Sequence, residues 1–285
     1  MAKICLKREL NPTVTLMEVE APLIARRARP GQFIILRVDE QGERIPLTIA
    51  DYDRERGTVT IIFQKVGHTT QLLGELKAGE DIRDFVGPLG QPTEIPEGTK
   101  RVCVIGGGVG CAIAYPQAKA LHAQGVAVDV IVGFRSRDLV ILEEEFRAVS
   151  DRFFLMTDDG SAGEQGLVTQ KLQERIEGGA NYDLVIAIGP IPMMKFVCKG
   201  TEPYGIKTLV SLNPLMIDGT GMCGCCRVTV GGQVRFACVD GPDFDGHQVD
   251  FEELMARNGT YRAQEEQARA DHVCRMDRLG RHLIP

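Results

Sequence analysis

The chain has no run of 18 apolar residues, no apolar stretch behind its "MAKICLKREL" start, no surplus of basic residues, no internal repeat and no low-complexity segment. The first absence argues against a membrane-spanning helix and the second against an export signal, so a cytoplasmic protein is expected. A formal net charge of -6 gives no basic surface for nucleic acid. What remains is an ordinary globular composition, 44% hydrophobic and 25% charged over 285 residues, long enough for about two domains with a sizeable core.

The nine cysteines depart from that ordinariness. Their number is odd and no export signal accompanies them, so a disulfide framework is not indicated. Cys5, Cys103, Cys111, Cys198 and Cys274 are scattered, while Cys223, Cys225, Cys226 and Cys238 crowd into "GTGMCGCCRV" and "FACVDGP". In a reducing compartment such crowding indicates metal.

Along the first hundred residues, "TVTLMEVEAP", "GQFIILRVD", "IPLTIADYD" and "GTVTIIFQKV" are short β-branched runs bounded by Gly, Pro and Asp. They predict a small antiparallel barrel, with one helix in "TTQLLGEL" and a boundary near Gly98. From residue 99 the pattern changes. Buried strands in "RVCVIGG", "VAVDVIVGF", "FFLMT" and "YDLVIAIG" alternate with helices in "CAIAYPQAKALHAQG", "LEEEFRAV" and "LVTQKLQERIE". That alternation predicts a doubly wound α/β domain on a parallel sheet, residues 99–210. Residues 211–250 hold the cysteines, and 251–285 read as a polar, mostly helical tail suited to partner docking.

"GGGVG", Gly106, Gly107, Gly108, Val109 and Gly110, follows a strand and opens a helix, the context of a phosphate-cradling turn. Gly106 and Gly108 take the first two places of the dinucleotide fingerprint, but the third falls on Cys111. No acid closes the second strand; Arg135 and Arg137 stand there, as ribose or 2′-phosphate contacts or as solvated arginines. Asp158 and Asp159 in "TDDGS" are ribose contacts or simply acids at a strand end. Cys111 at a helix start is an activated thiol or a small buried one.

Cys223, Cys226 and Cys238 give C-x2-C-x11-C, and Asp218 stands five residues before Cys223. Asp218-x4-Cys223-x2-Cys226 has the spacing of a plant-type [2Fe–2S] loop with Asp in the first place. Cys225 adjoins Cys226, and consecutive residues seldom face one metal. Zinc is the rival, although a structural zinc site prefers two separated pairs and only one is present.

Barrel, nucleotide domain and cysteine loop, in this order, resemble the ferredoxin–NADP reductase superfamily over about residues 3–250. The resemblance is to its electron-transfer subunits with a C-terminal [2Fe–2S] domain: those of dihydroorotate dehydrogenase and, more closely, the small subunits of bifurcating NADH-dependent ferredoxin–NADP oxidoreductases, also known as sulfide dehydrogenase subunits. "RIPLT" resembles the FAD motif, so Arg44, Pro46, Leu47 and Thr48 are implied at the flavin, with Arg44 one residue early and Leu47 where many members have an aromatic ring. "VGHTTQLL" implies Gly67, Thr69 and Thr70 at the pyrophosphate, and "GPLG" matches an interdomain signature. "IGPIPMM" implies Gly189, Pro190 and Met193 at the nicotinamide, with Ile188 replacing a family cysteine. "GMCGCC…FACVDGP" implies Asp218, Cys223, Cys226 and Cys238 as cluster ligands.

The resemblance thus implies FAD, NAD(H) and one [2Fe–2S] cluster. It implies hydride exchange between NAD(H) and FAD, and single electrons passed through the cluster to a larger flavoprotein subunit carrying FAD and [4Fe–4S] clusters. It gives no side chain an acid–base role, no nucleic-acid partner and no membrane. From a different class, a zinc-bearing nucleotide sensor without enzymatic activity is the competing expectation.

Overall fold

The computed structural model describes residues 1–261 and 263–267. The tail predicted over 251–285 therefore lies outside the described residues from 268 onward, and at 262.

The N-terminal sheet contains β1 (Ala2–Asn11), β2 (Val14–Glu20), β3 (Phe33–Arg37), β4 (Ile45–Asp53), β5 (Thr58–Gln64), β6 (Asp81–Ile82) and β7 (Asp84–Leu89). Helices α1 (Pro22–Arg27) and α2 (His68–Glu75) are inserted between strands. The spatial order β6-β1-β2-β5-β4-β3-β7 is antiparallel throughout and curls into a nearly closed barrel, as the short punctuated strands predict. Side chains alternate across it. Met17, Val19, Ile49, Ile61 and Phe63 fill the interior, while Leu16, Ala50 and Ile62 turn outward.

The outward set packs on the second half. There β8 (Arg101–Gly107), β9 (Ala127–Phe134), β10 (Arg152–Thr157), β11 (Glu164–Gln165), β12 (Leu184–Ile188) and β13 (Lys207–Ser211) run parallel in the order β11-β10-β9-β8-β12-β13. Helices α3 (Cys111–Ala123) and α4 (Glu143–Ala148) cover one face, and α5 (Val168–Glu177) and α6 (Ile191–Thr201) the other. Coverage on both faces explains why "VCVI" and "LVIAI" are unbroken apolar runs. Ala114 and Ala118 of α3 are fully buried against the outward barrel residues, so small side chains let the two halves meet closely.

Residues beyond 210 add a hairpin, β14 (Arg227–Val230) and β15 (Gln233–Phe236), then β16 (Asp243–Asp245) and α7 (Phe251–Asn258). β16 returns to the parallel sheet and pairs antiparallel with β13, Ser211 opposite Asp243. The sheet's last strand thus comes from the segment that the sequence reading assigned to the cysteines. Cys226, Val228, Ala237 and Cys238 share one apolar layer with Ile105 of β8 and Phe33 and Ile35 of β3. Among the described residues no helix is long and apolar enough to cross a membrane.

Candidate cofactor sites

β9 lies on one side of β8 and β12 on the other, so a crevice opens at the carboxyl ends of β8 and β12, where open α/β sheets bind ligands. Both glycine motifs end there. Gly106 lies opposite Ile188 in the ladder. A Cβ on Gly107 would lie 2.5 Å from Met193 Sδ, and one on Gly189 would lie 2.8 Å from Met193 Cε, so Met193 seats on both glycines. Gly108 has φ +55 and open space where a Cβ would stand, leaving the turn clear for a phosphate. Val109 and Gly110 complete the turn into α3, and Pro190 caps α6.

Arg135 continues β9 and is exposed; Asp158 and Asp159 continue β10, exposed on the same rim. The Asp158 N–H donates to Phe134 O at 3.0 Å and the Asp159 N–H to Arg135 O at 3.3 Å, which ties the two strand ends together. Asp159 Oδ1 accepts the Ser161 hydroxyl and N–H, bonds that hold its carboxyl below the usual range. The Cys111 side chain is fully buried beneath Gly106, and burial pushes its thiol up. The activated-thiol alternative therefore fails, because desolvation outweighs the helix start.

The flavin candidates line β4 and the start of α2. Pro46, Leu47 and Thr48 are half-buried and pair with Ile35, Ile34 and Phe33 of β3. Thr70 Oγ1 accepts the N–H groups of Gly67 at 3.0 Å and Val66 at 3.1 Å, folding the entry to α2. Thr69 donates its hydroxyl to the Glu43 carboxylate at 3.1 Å, so this helix start already receives an anionic group. Arg44 is exposed immediately before β4.

In the cysteine loop, Asp218 Oδ1 accepts the Thr220 N–H at 2.7 Å and Oδ2 accepts the Cys223 N–H at 2.8 Å, which hold its carboxyl below the usual range. Gly219, Gly221 and Gly224 have φ of +73, +82 and +69, values that coil the loop around these bonds. Cys223 is exposed; Cys226 and Cys238 are buried, and the Cys238 N–H donates to Cys226 Sγ at 3.5 Å. Burial and the adjoining Cys226 thiol push Cys238 up to about 12.

Among the described residues no three His, Cys, Asp or Glu side chains converge on one metal-holding point. Backbone bonds link the four expected ligands two by two, the Cys223 N–H to Asp218 and the Cys238 N–H to Cys226 Sγ. Three thiols and one carboxylate brought together in this way fit a binuclear cluster, which divides its ligands over two irons.

One polar node carried no sequence signal. Asp243 of β16 is half-buried; its carboxylate accepts the Thr93 hydroxyl at 2.5 Å and Gln117 Nε2 at 3.2 Å and lies against the Ser211 side chain. Burial pushes its carboxyl above the ordinary range. The node joins the barrel's exit segment, α3 and the returning strand. Its members are far apart in sequence, so only the folded chain reveals it.

Comparison with known proteins agrees with this layout. Residues 213–250 match the iron-sulfur cluster binding domain of dihydroorotate dehydrogenase B. A Thermotoga maritima homolog of the dihydroorotate dehydrogenase B (NAD(+)) electron transfer subunit is 48% identical, covering 87% of each chain. The corresponding electron transfer subunit of Fusobacterium nucleatum is 31% identical, over 83% of this chain and 92% of that one. A solved structure of NADH-dependent reduced ferredoxin-NADP oxidoreductase, described for flavin-based electron bifurcation, superposes with a TM-score of 0.90 at 43% identity, covering 96% of this chain and 98% of that one.

Proposed function

The chain belongs to the family of dihydroorotate dehydrogenase B-type electron-transfer subunits, and on that premise we propose that it exchanges electrons between NAD(H) and FAD and passes them through a [2Fe–2S] cluster to a larger flavoprotein. The observation that carries this reading is the seating of the cysteine loop on the flavin strands. A Cβ on Gly219 would lie 2.7 Å from Leu89 of β7 and 2.8 Å from Ile35 of β3. Ile35 pairs with Pro46, and the same strand pairs Phe33 with Thr48. The loop therefore lies one strand from the flavin candidates, in the layer shared with the nucleotide sheet.

The cofactors supply the two-electron and one-electron chemistry; the chain positions them. Gly106–Gly110 hold the dinucleotide phosphates, and Met193 on Gly107 and Gly189 shapes the floor of the nicotinamide site. Arg135, Asp158 and Asp159 form the ribose rim. Thr48 and the Gly67–Thr70 turn hold FAD, with Arg44, Pro46 and Leu47 beside it. Asp218, Cys223, Cys226 and Cys238 would hold the cluster, which would supply one-electron transfer. The partner is a larger subunit with its own FAD and [4Fe–4S] clusters, and the assembly is the bifurcating NADH-dependent ferredoxin–NADP oxidoreductase. Asp218 in the first ligand place favours this partner over a dihydroorotate dehydrogenase.

Anaerobic purification followed by iron, sulfide and flavin analysis tests the proposal. About two irons, two sulfides and one FAD per chain are expected. Zinc in place of iron would overturn it.

A further inference from the structure

Helix α7 grips the cysteine loop. Phe251 and Leu254 are buried in the same apolar layer as Cys226, Val228 and Cys238. The Asp250 N–H donates to Thr229 O at 2.9 Å, and its carboxylate caps the helix by accepting the Glu253 N–H at 2.9 Å. At the far end, Asn258 Nδ2 donates to Asn213 O at 3.3 Å, and Arg257 donates from its guanidinium to the carbonyl of Cys225 at 3.2 Å. A half-buried cation is thereby bonded to the peptide that precedes Cys226.

That peptide is trans, since the cis bonds among the described residues precede Pro88 and Pro242. A trans peptide points its C=O and N–H in opposite directions. With the carbonyl turned to Arg257, the N–H of Cys226 is turned away from α7. Hydrogen bonds to cluster sulfurs and local positive charge both stabilise the reduced, more negative cluster.

We propose that Arg257 is a positioning residue for the cluster: it locks the Cys225–Cys226 peptide so that its N–H is offered to the bound iron–sulfur group, and it raises that group's reduction potential. This rests on the cluster assignment above. The full chain is compared with its Arg257→Gln and Arg257→Lys variants by redox titration followed by electron paramagnetic resonance, with iron and sulfide measured on each. The spectrum reports only loaded molecules, so incomplete loading does not hide the result.

The expected result is a midpoint shifted to lower potential in Arg257→Gln, with a smaller downward shift in Arg257→Lys, which keeps the charge but loses the planar fork. An unchanged midpoint in Arg257→Gln would overturn this inference alone. A wild-type chain without a [2Fe–2S] signal would overturn the reading beneath it, and this inference with it.

Discussion

Gly110 and Cys111 explain why the nucleotide turn departs from its fingerprint. The place of the third glycine is taken by a cysteine, and a Cβ on Gly106 would lie 2.7 Å from its sulfur. The thiol fills the space beneath a residue that must stay glycine, so a small buried side chain does the packing. At Gly110 an added methyl would stand 2.5 Å from Ile188 O and 2.8 Å from Gly189 Cα, both backbone atoms that cannot rotate away. Gly110→Ala is expected to cost about 1–3 kcal/mol by overpacking and to weaken NADH binding, seen as a raised KM for NADH-dependent flavin reduction. A KM and unfolding midpoint like those of the parent chain would refute the expectation. Cys103 and Cys111, with thiols pushed up by burial, should resist alkylation in the native chain at pH 8 and react after denaturation; mass spectrometry of the modified chain would decide.

At the scale of elements, legibility followed apolar periodicity. The sequence predicts β2 to β5, α2, β8 to β10, α3 to α5 and β12, because each carries a β-branched run or a regular apolar stripe. It did not resolve β1, whose "AKICLKRELN" mixes charge with alternation, nor the short α1 and β16, nor the hairpin of β14 and β15. These are held by partners rather than by local preference. The predicted docking tail shows the same effect: its first two turns form α7, whose apolar face is already buried by the chain's own cysteine loop. Phe251→Ala is expected to destabilise by about 3 kcal/mol and to lower the iron content, measurable by urea unfolding and metal analysis. Unaltered iron with a changed unfolding midpoint would mean that α7 supports the fold without supporting the loop.

Over the whole molecule, Asp243 joins three stretches that the sequence reading kept apart. Its native carboxyl titrates above the ordinary value, so the folded state binds the proton more tightly than the unfolded chain. Its contribution is most favourable in acid, declines as pH rises from the ordinary carboxylate range through the raised native value, and stays lower beyond. Asp243→Asn keeps an acceptor for Thr93 and Gln117 and replaces the other oxygen with an amide. It should flatten that decline in urea-unfolding stability with pH; an unchanged slope would mean that other carboxyls carry it.

The return of β16 to β13 has a consequence for the protein's engineering. Residues 243–245 close an edge that would otherwise expose unpaired backbone groups of the nucleotide sheet. The electron-exit segment is thus not a detachable cassette. Cutting it away would strip the nucleotide sheet of its border strand and leave the free edge of β13 open to pairing with another chain. A transplanted segment therefore has to bring β13 with it or meet an equivalent edge in register.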